Sequence, residues 1–151
     1  MKICFTASSG GHLEEIKCLF PVAEGCDSFL ITEKSGDVKT VCTDNTYYLR
    51  QTNRREPLFF IHCLRILRQV SKILKKEKPD YVISTGALIT YLVCIVAKMR
   101  KIKIIYIETF ARVDRPSLTG RFMYPIADLF LVQWEELKKV FPDAVYVGGV
   151  F

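Results

Sequence analysis

Short runs of β-branched and aromatic residues alternate along this chain with longer stretches whose apolar positions recur every three or four residues. The first run, around Ile3 and Phe5, enters the small residues 7–11, after which Leu13, Ile16 and Leu19 or Phe20 follow at helical spacing with Glu14 and Glu15 between them. Residues 27–32 predict a second strand and 47–49 a third. From 57 to 76 the spacing predicts a basic amphipathic helix. Phe60, Leu64, Leu67, Val70 or Ser71, and Leu74 form its apolar stripe, while Arg65, Arg68, Lys72 and Lys75 or Lys76 recur on another. Lys78-Pro79-Asp80 ends that helix. Strand 81–84, the turn Thr85-Gly86-Ala87 and an apolar helix 88–99 then repeat the opening arrangement. Strand 101–107, a helix 117–127 bent or cut by Pro125, strand 129–132, a short helix 134–141 and strand 144–147 complete the series. Strands and helices in alternation predict an α/β fold: a Rossmann-like parallel sheet with helices on both faces, formed by one domain over 1–151.

Composition narrows the class. Half of the 151 residues are hydrophobic, enough to build a core. The six cysteines lie far apart with no C-x-x-C pair, so buried thiols are expected and a metal site is not. No signal peptide is visible, and twelve apolar residues at 88–99 fall short of the roughly twenty that a membrane span needs. A cytoplasmic protein is therefore expected. Net charge is +6, and it is unevenly spread: between Arg50 and Lys78 nine basic residues stand against Glu56 and Glu77, a local +7. Such a segment suits an anionic partner, whether lipid, nucleic acid or another protein. Nucleic acid is the weakest of these, because the basic helix lacks interleaved aromatics. The opening Leu58-Phe59-Phe60-Ile61 favours an anionic membrane surface, and a core helix with a solvated face is the plainer reading.

In an open parallel sheet, ligands bind beyond the carboxyl ends of the strands, where strand order reverses. That rule selects the loops 7–12, 85–88 and 108–117. Ser8, Ser9, Gly10, Gly11 and His12 open the first helix, Thr85 and Gly86 the later one, and Glu108, Arg112 and Arg115 follow the fifth strand. Helix starts offer unpaired N–H groups and arginines grip phosphate oxygens in pairs, so the set suits a phosphorylated ligand held without metal. His12 and Glu108 are the titratable pair, candidates for acid–base work. Each residue also has a quieter role open to it: a tight turn at Gly10-Gly11, a cap at His12, an ion pair between Glu108 and Arg112. Glu33 stands where a dinucleotide fold places its ribose-binding acid, yet neither G-x-G-x-x-G nor a Walker A loop is present. His62 lies in an apolar setting and reads as packed. The apolar ending at Val150 and Phe151 suits insertion into a partner, or simply a last strand.

These residues also carry a resemblance. Gly10-Gly11-His12, then 78–87, then Tyr106-Ile107-Glu108, Ala127-Asp128 with Val132-Gln133-Trp134, and Tyr146-Val147-Gly148-Gly149 resemble the N-terminal half of a GT-B glycosyltransferase such as MurG. Glu108 to Val113 with Ser117 to Gly120, and the stretch 128–137, resemble more specifically the small subunit of the two-part N-acetylglucosaminyltransferase of dolichol-linked oligosaccharide synthesis. The same stretches resemble its bacterial relatives in capsule and exopolysaccharide biosynthesis. The resemblance implies a peripheral protein on the cytoplasmic membrane face, with Arg65, Arg68, Lys72, Lys75 and Lys76 toward the lipid. It implies a polyprenyl-diphosphate-linked saccharide acceptor and a second, UDP-sugar-binding glycosyltransferase subunit, with no cofactor and no nucleic acid. Carried onto this chain, it makes His12 the candidate for acceptor activation and Glu108 the matching acid after the fifth strand. The chain would be inactive alone. Two alternatives stay open: a non-catalytic membrane adaptor for a partner glycosyltransferase, and an autonomous nucleotide-binding domain.

Overall fold

Among the described residues every strand is parallel to its neighbours, in the order β3-β2-β1-β4-β5-β6-β7. The computed structural model describes residues 1–34, 45–51 and 56–150; Arg54, Arg55 and Phe151 lie outside the described residues. The strands are β1 (Lys2–Ala7), β2 (Asp27–Glu33), β3 (Thr46–Leu49), β4 (Tyr81–Ser84), β5 (Lys103–Ile107), β6 (Leu129–Val132) and β7 (Val145–Tyr146). The helices are α1 (Gly11–Cys18), α2 (Phe59–Glu77), α3 (Leu88–Met99) and α4 (Leu118–Met123), with 3-10 turns at Phe20–Ala23 and Glu135–Lys139. The expected fold class is what the chain adopts. The helix expected over 117–127 is shorter, because Ser117 caps it and Pro125 follows its end.

Strand alternation sorts the core onto two faces. Ile3, Phe5 and Ala7 of β1 pack with Leu13 and Ile16 of α1, while Cys4 packs on the other face with Phe29, Val70, Val82 and Val93. Cys4 sits in register with Phe29 and Val82, so β1 is an interior strand between β2 and β4, and the order reverses between β1 and β4. The thiols of Cys4 and Cys94 are buried in this core, and burial pushes Cys94 up to about 12. Both are therefore unreactive packing groups.

α2 departs from its expected stripe. Ile66, Val70, Ile73 and Leu74 face the core, whereas Phe60 and Leu64 are 80% and 56% exposed. Phe60 and Leu64 each stand two positions, about 200° around the helix, from buried His62 and Ile66, so they occupy the opposite face. His62 is buried as expected, but within a polar contact: its ring nitrogens lie 2.9 Å from both Glu56 Oε2 and Arg50 Nη1.

Asp128 fastens the start of β6 to β5. Its carboxylate accepts the Ile104 N–H at 2.9 Å and pairs with Lys103 at 3.3 Å and Lys98 at 3.7 Å. Burial pushes this carboxyl up, but the Ile104 N–H and the two lysines outweigh it and hold it below the ordinary 3.8. Asp128→Ala is expected to cost about 1–3 kcal/mol at pH 7, since it leaves a buried N–H unpaired. A depressed folded-state carboxyl stabilises above its unfolded value and loses that contribution as pH falls through the folded one. The gap between variant and wild type should therefore narrow in urea titrations below about pH 4.

Candidate active site

The loops after β1, β4 and β5 meet at the carboxyl end of the sheet, on either side of the point where strand order reverses. Gly10 makes the first of them possible. With φ +82° and nothing within 4 Å of where a Cβ would stand, it turns the chain from β1 into α1 through a conformation that other residues seldom adopt. Leu13 and Glu14 both donate to the Gly10 carbonyl, at 2.9 and 3.2 Å. The turn Ser8–Gly11 lies at the surface, with the helix start open to an anion.

His12 is held from below. Its carbonyl accepts the Thr85 hydroxyl at 2.9 Å, and its ring lies against Gly86, where an added methyl would stand 3.2 Å from both His12 Cε1 and the Tyr106 hydroxyl. Gly86 (φ +112°) thus admits the imidazole. Thr85 is fully buried with its hydroxyl engaged, so it holds His12 in place and does not face a ligand. That changes the role expected for Thr85, because the strand-to-helix turn folds its side chain inward. His12 itself remains 29% exposed through its side chain.

Glu108 is fully buried at the end of β5. Its Oε1 accepts the Ser117 N–H at 3.1 Å, its Oε2 lies 3.4 Å from the Tyr106 hydroxyl, and Gly120 of α4 packs directly on the carboxylate. Burial pushes the carboxyl up, against the downward pull of the Ser117 hydroxyl and N–H, Tyr106 and the nearby His12. A carboxylate so enclosed organises the loop between β5 and α4; it does not meet solvent. Arg112 and Arg115 are exposed on that loop, and Arg115 lies 4.0 Å from Asp114.

Two residues that sequence reasoning passed over join these loops. Glu15 of α1 is buried and accepts the Phe110 N–H at 2.7 Å and the Thr109 hydroxyl at 3.1 Å. Gln133, also buried, donates to the Glu108 carbonyl at 3.0 Å and accepts the Val150 N–H at 2.9 Å. Val150 is therefore tied back to the sheet through its backbone. Trp134 stacks on Phe110 at 4.8 Å and donates to its carbonyl at 2.7 Å. The i, i+3 spacing of His12 and Glu15 was the available signal for the first; Gln133 stood only within the stretch Val132-Gln133-Trp134 that carries the resemblance.

A seven-stranded parallel sheet in this order, with the loops after β1, β4 and β5 gathered at the carboxyl end of the strands, defines a Rossmann-type domain of the GT-B kind. Among solved structures it superposes on MurG of Acinetobacter baumannii with a TM-score of 0.76 at 15% identity, over 98% of this chain and 45% of that one. It superposes on UDP-GlcNAc 2-epimerase of Methanocaldococcus jannaschii with a TM-score of 0.78 at 17% identity, over 99% and 47%. The family described as oligosaccharide biosynthesis protein Alg14 like matches residues 58–150, and the chain belongs to it. The UDP-N-acetylglucosamine transferase subunit ALG14 of Mus musculus is 34% identical over 99% of this chain and 83% of its own length. The corresponding subunit of Yarrowia lipolytica is 31% identical over 74% of this chain and 55% of its own.

Proposed function

We propose that this chain is the acceptor-binding subunit of a two-chain UDP-sugar glycosyltransferase in lipid-linked oligosaccharide or surface polysaccharide biosynthesis. The observation that carries the reading is the half-exposed His12 at the strand-order reversal, beside the open turn Ser8–Gly11, in a family whose relatives are named as transferase subunits. The acceptor's diphosphate lies over the helix start, reached by Arg112 and Arg115, and its hydroxyl meets His12. A second chain supplies the UDP-sugar. Edge strand β7, with Val145, Tyr146 and Val147 exposed, and the adjoining Val150 suit the partner contact. Phe151, also expected there, lies outside the described residues. In a transfer assay on the co-expressed pair, a polyprenyl-diphosphate saccharide and UDP-N-acetylglucosamine are expected to give product only when both chains are present. Turnover by this chain alone would overturn the reading.

The same chain lies on the cytoplasmic face of a membrane through α2 and α3. Among the described residues no helix is long and apolar enough to cross one. Phe60, Leu64 and Met99 are exposed, and Leu64, Leu67, Ile95 and Met99 line a groove of about 390 Å³ flanked by Arg68 and Arg100. Arg65, Lys72, Lys75 and Lys76 are exposed along α2, and Lys76 also reaches the Tyr47 hydroxyl at 3.0 Å. Apolar side chains rimmed by cations suit an anionic lipid surface. Leu64→Asp is expected to reduce co-sedimentation with anionic vesicles at least about 10-fold, from the roughly 1.5–3 kcal/mol lost with one leucine, without changing the thermal midpoint much.

A further inference from the structure

The geometry points to Glu15 as the residue that sets the tautomer of His12, with Nδ1 protonated toward the carboxylate and Nε2 left as the proton acceptor. Glu15 is 2% exposed and its two oxygens face different ways. Oε1 is engaged by the Phe110 N–H and the Thr109 hydroxyl. Oε2 is buried with no hydrogen-bond partner and stands 3.4 Å from His12 Nδ1, which is likewise buried and unpartnered. Two adjacent buried polar atoms with no other partner are each other's natural partners, and a small rotation of the ring and carboxylate aligns the N–H with Oε2. An ionised carboxylate only accepts, so Nδ1 must carry the proton. In a neutral ring that fixes Nε2 as a lone pair.

The other groups around the ring do not compete for Nδ1. The Thr85 hydroxyl is spent on the His12 carbonyl. Tyr106, from β5, is turned to Glu108, and Glu108 bonds the start of α4. Glu15 thereby couples two loops of the site: one oxygen holds the segment after β5 and the other orients the imidazole on α1. It is a positioning residue, acting through His12.

This inference rests on the acceptor-activation reading only for its consequence in the reaction. There the acceptor oxygen bonds to the anomeric carbon, the bond from that carbon to the UDP oxygen breaks with its electron pair leaving on UDP, and the acceptor proton passes to Nε2.

Glu15→Gln separates the two duties. The amide oxygen keeps the Phe110 and Thr109 contacts, while the amide NH2 donates to Nδ1 and forces the proton onto Nε2. Ring-nitrogen NMR of the ¹⁵N-histidine-labelled chain should report the Nδ1–H tautomer in the wild type and Nε2–H in Glu15→Gln. An Nε2–H wild type, or an unchanged variant, overturns the inference, and the wild-type spectrum decides even if the variant fails to fold. In the co-expressed pair, Glu15→Gln is expected to lower turnover about 10²-fold with KM nearly unchanged. Thr109→Val, which loosens the loop contact but not the tautomer, should stay within about threefold of the wild type, since Phe110 still donates to Oε1. A tautomer switch without loss of turnover overturns the role of Glu15 in the reaction. If His12→Ala is also fully active, the acceptor-activation reading is what has failed, and the tautomer result still stands by itself.

Discussion

Gly120→Ala is expected to destabilise the fold by about 3 kcal/mol or more, lowering the thermal midpoint by roughly 10 °C. The added methyl would overlap Glu108 Oε2, lie 2.8 Å from its Cδ and 3.2 Å from Ser117 Oγ. None of these atoms can withdraw. The carboxylate is pinned by the Ser117 N–H and by Tyr106, and the Ser117 hydroxyl accepts the Gly120 N–H at 2.8 Å as the cap of α4. Alanine is the better helix former, so on an open helix the change would stabilise; here enclosure of a carboxylate reverses the sign. A thermal melt followed by circular dichroism checks it, and a variant at least as stable as the wild type would show that α4 does not sit on Glu108. Glu108→Ala in the same background should recover part of the loss, because it removes the atoms the methyl meets.

The second expected result concerns chemistry. His12→Ala in the co-expressed pair should reduce transfer by about 10²–10⁴-fold while leaving the two chains associated and the fold intact. The ring packs against Gly86 at the surface end of the sheet, 29% exposed, and is not part of the core, so its removal costs little stability. Full activity in that variant would favour the adaptor alternative, in which a partner already complete in its chemistry needs this chain only for position. Glu108 is a weaker test of catalysis than His12. Its substitution disturbs the loop and α4 together, so lost activity there would not distinguish chemistry from folding.

Much of this molecule was legible from local pattern. The limits of β4 and α3 follow from a four-residue β-branched run, from Pro79 before it and from the apolar stretch up to Met99. The glycine turn after β1 and the alternation of strand and helix fixed the parallel sheet and hence the end of it that carries the site. These are short-range matters: period, turn chemistry and the handedness of crossovers act within one unit of structure. What the chain does with its polar side chains was settled elsewhere. Glu15 reads as one of two solvated glutamates between apolar positions and turns out to be buried, because the segment after β5, some 95 residues on, folds over it. Thr85 reads as a ligand contact and Glu108 as a catalytic acid, and in the fold they brace His12 and α4. Phe60 and Leu64 read as part of the apolar stripe and emerge on the surface, because the core takes the face of α2 that carries His62, Ile66, Val70 and Ile73. Sequence alone determined which elements form and where their cleft must lie. Only the tertiary structure decided which of its acids face a ligand and which are enclosed, because burial is conferred by neighbours distant in the chain.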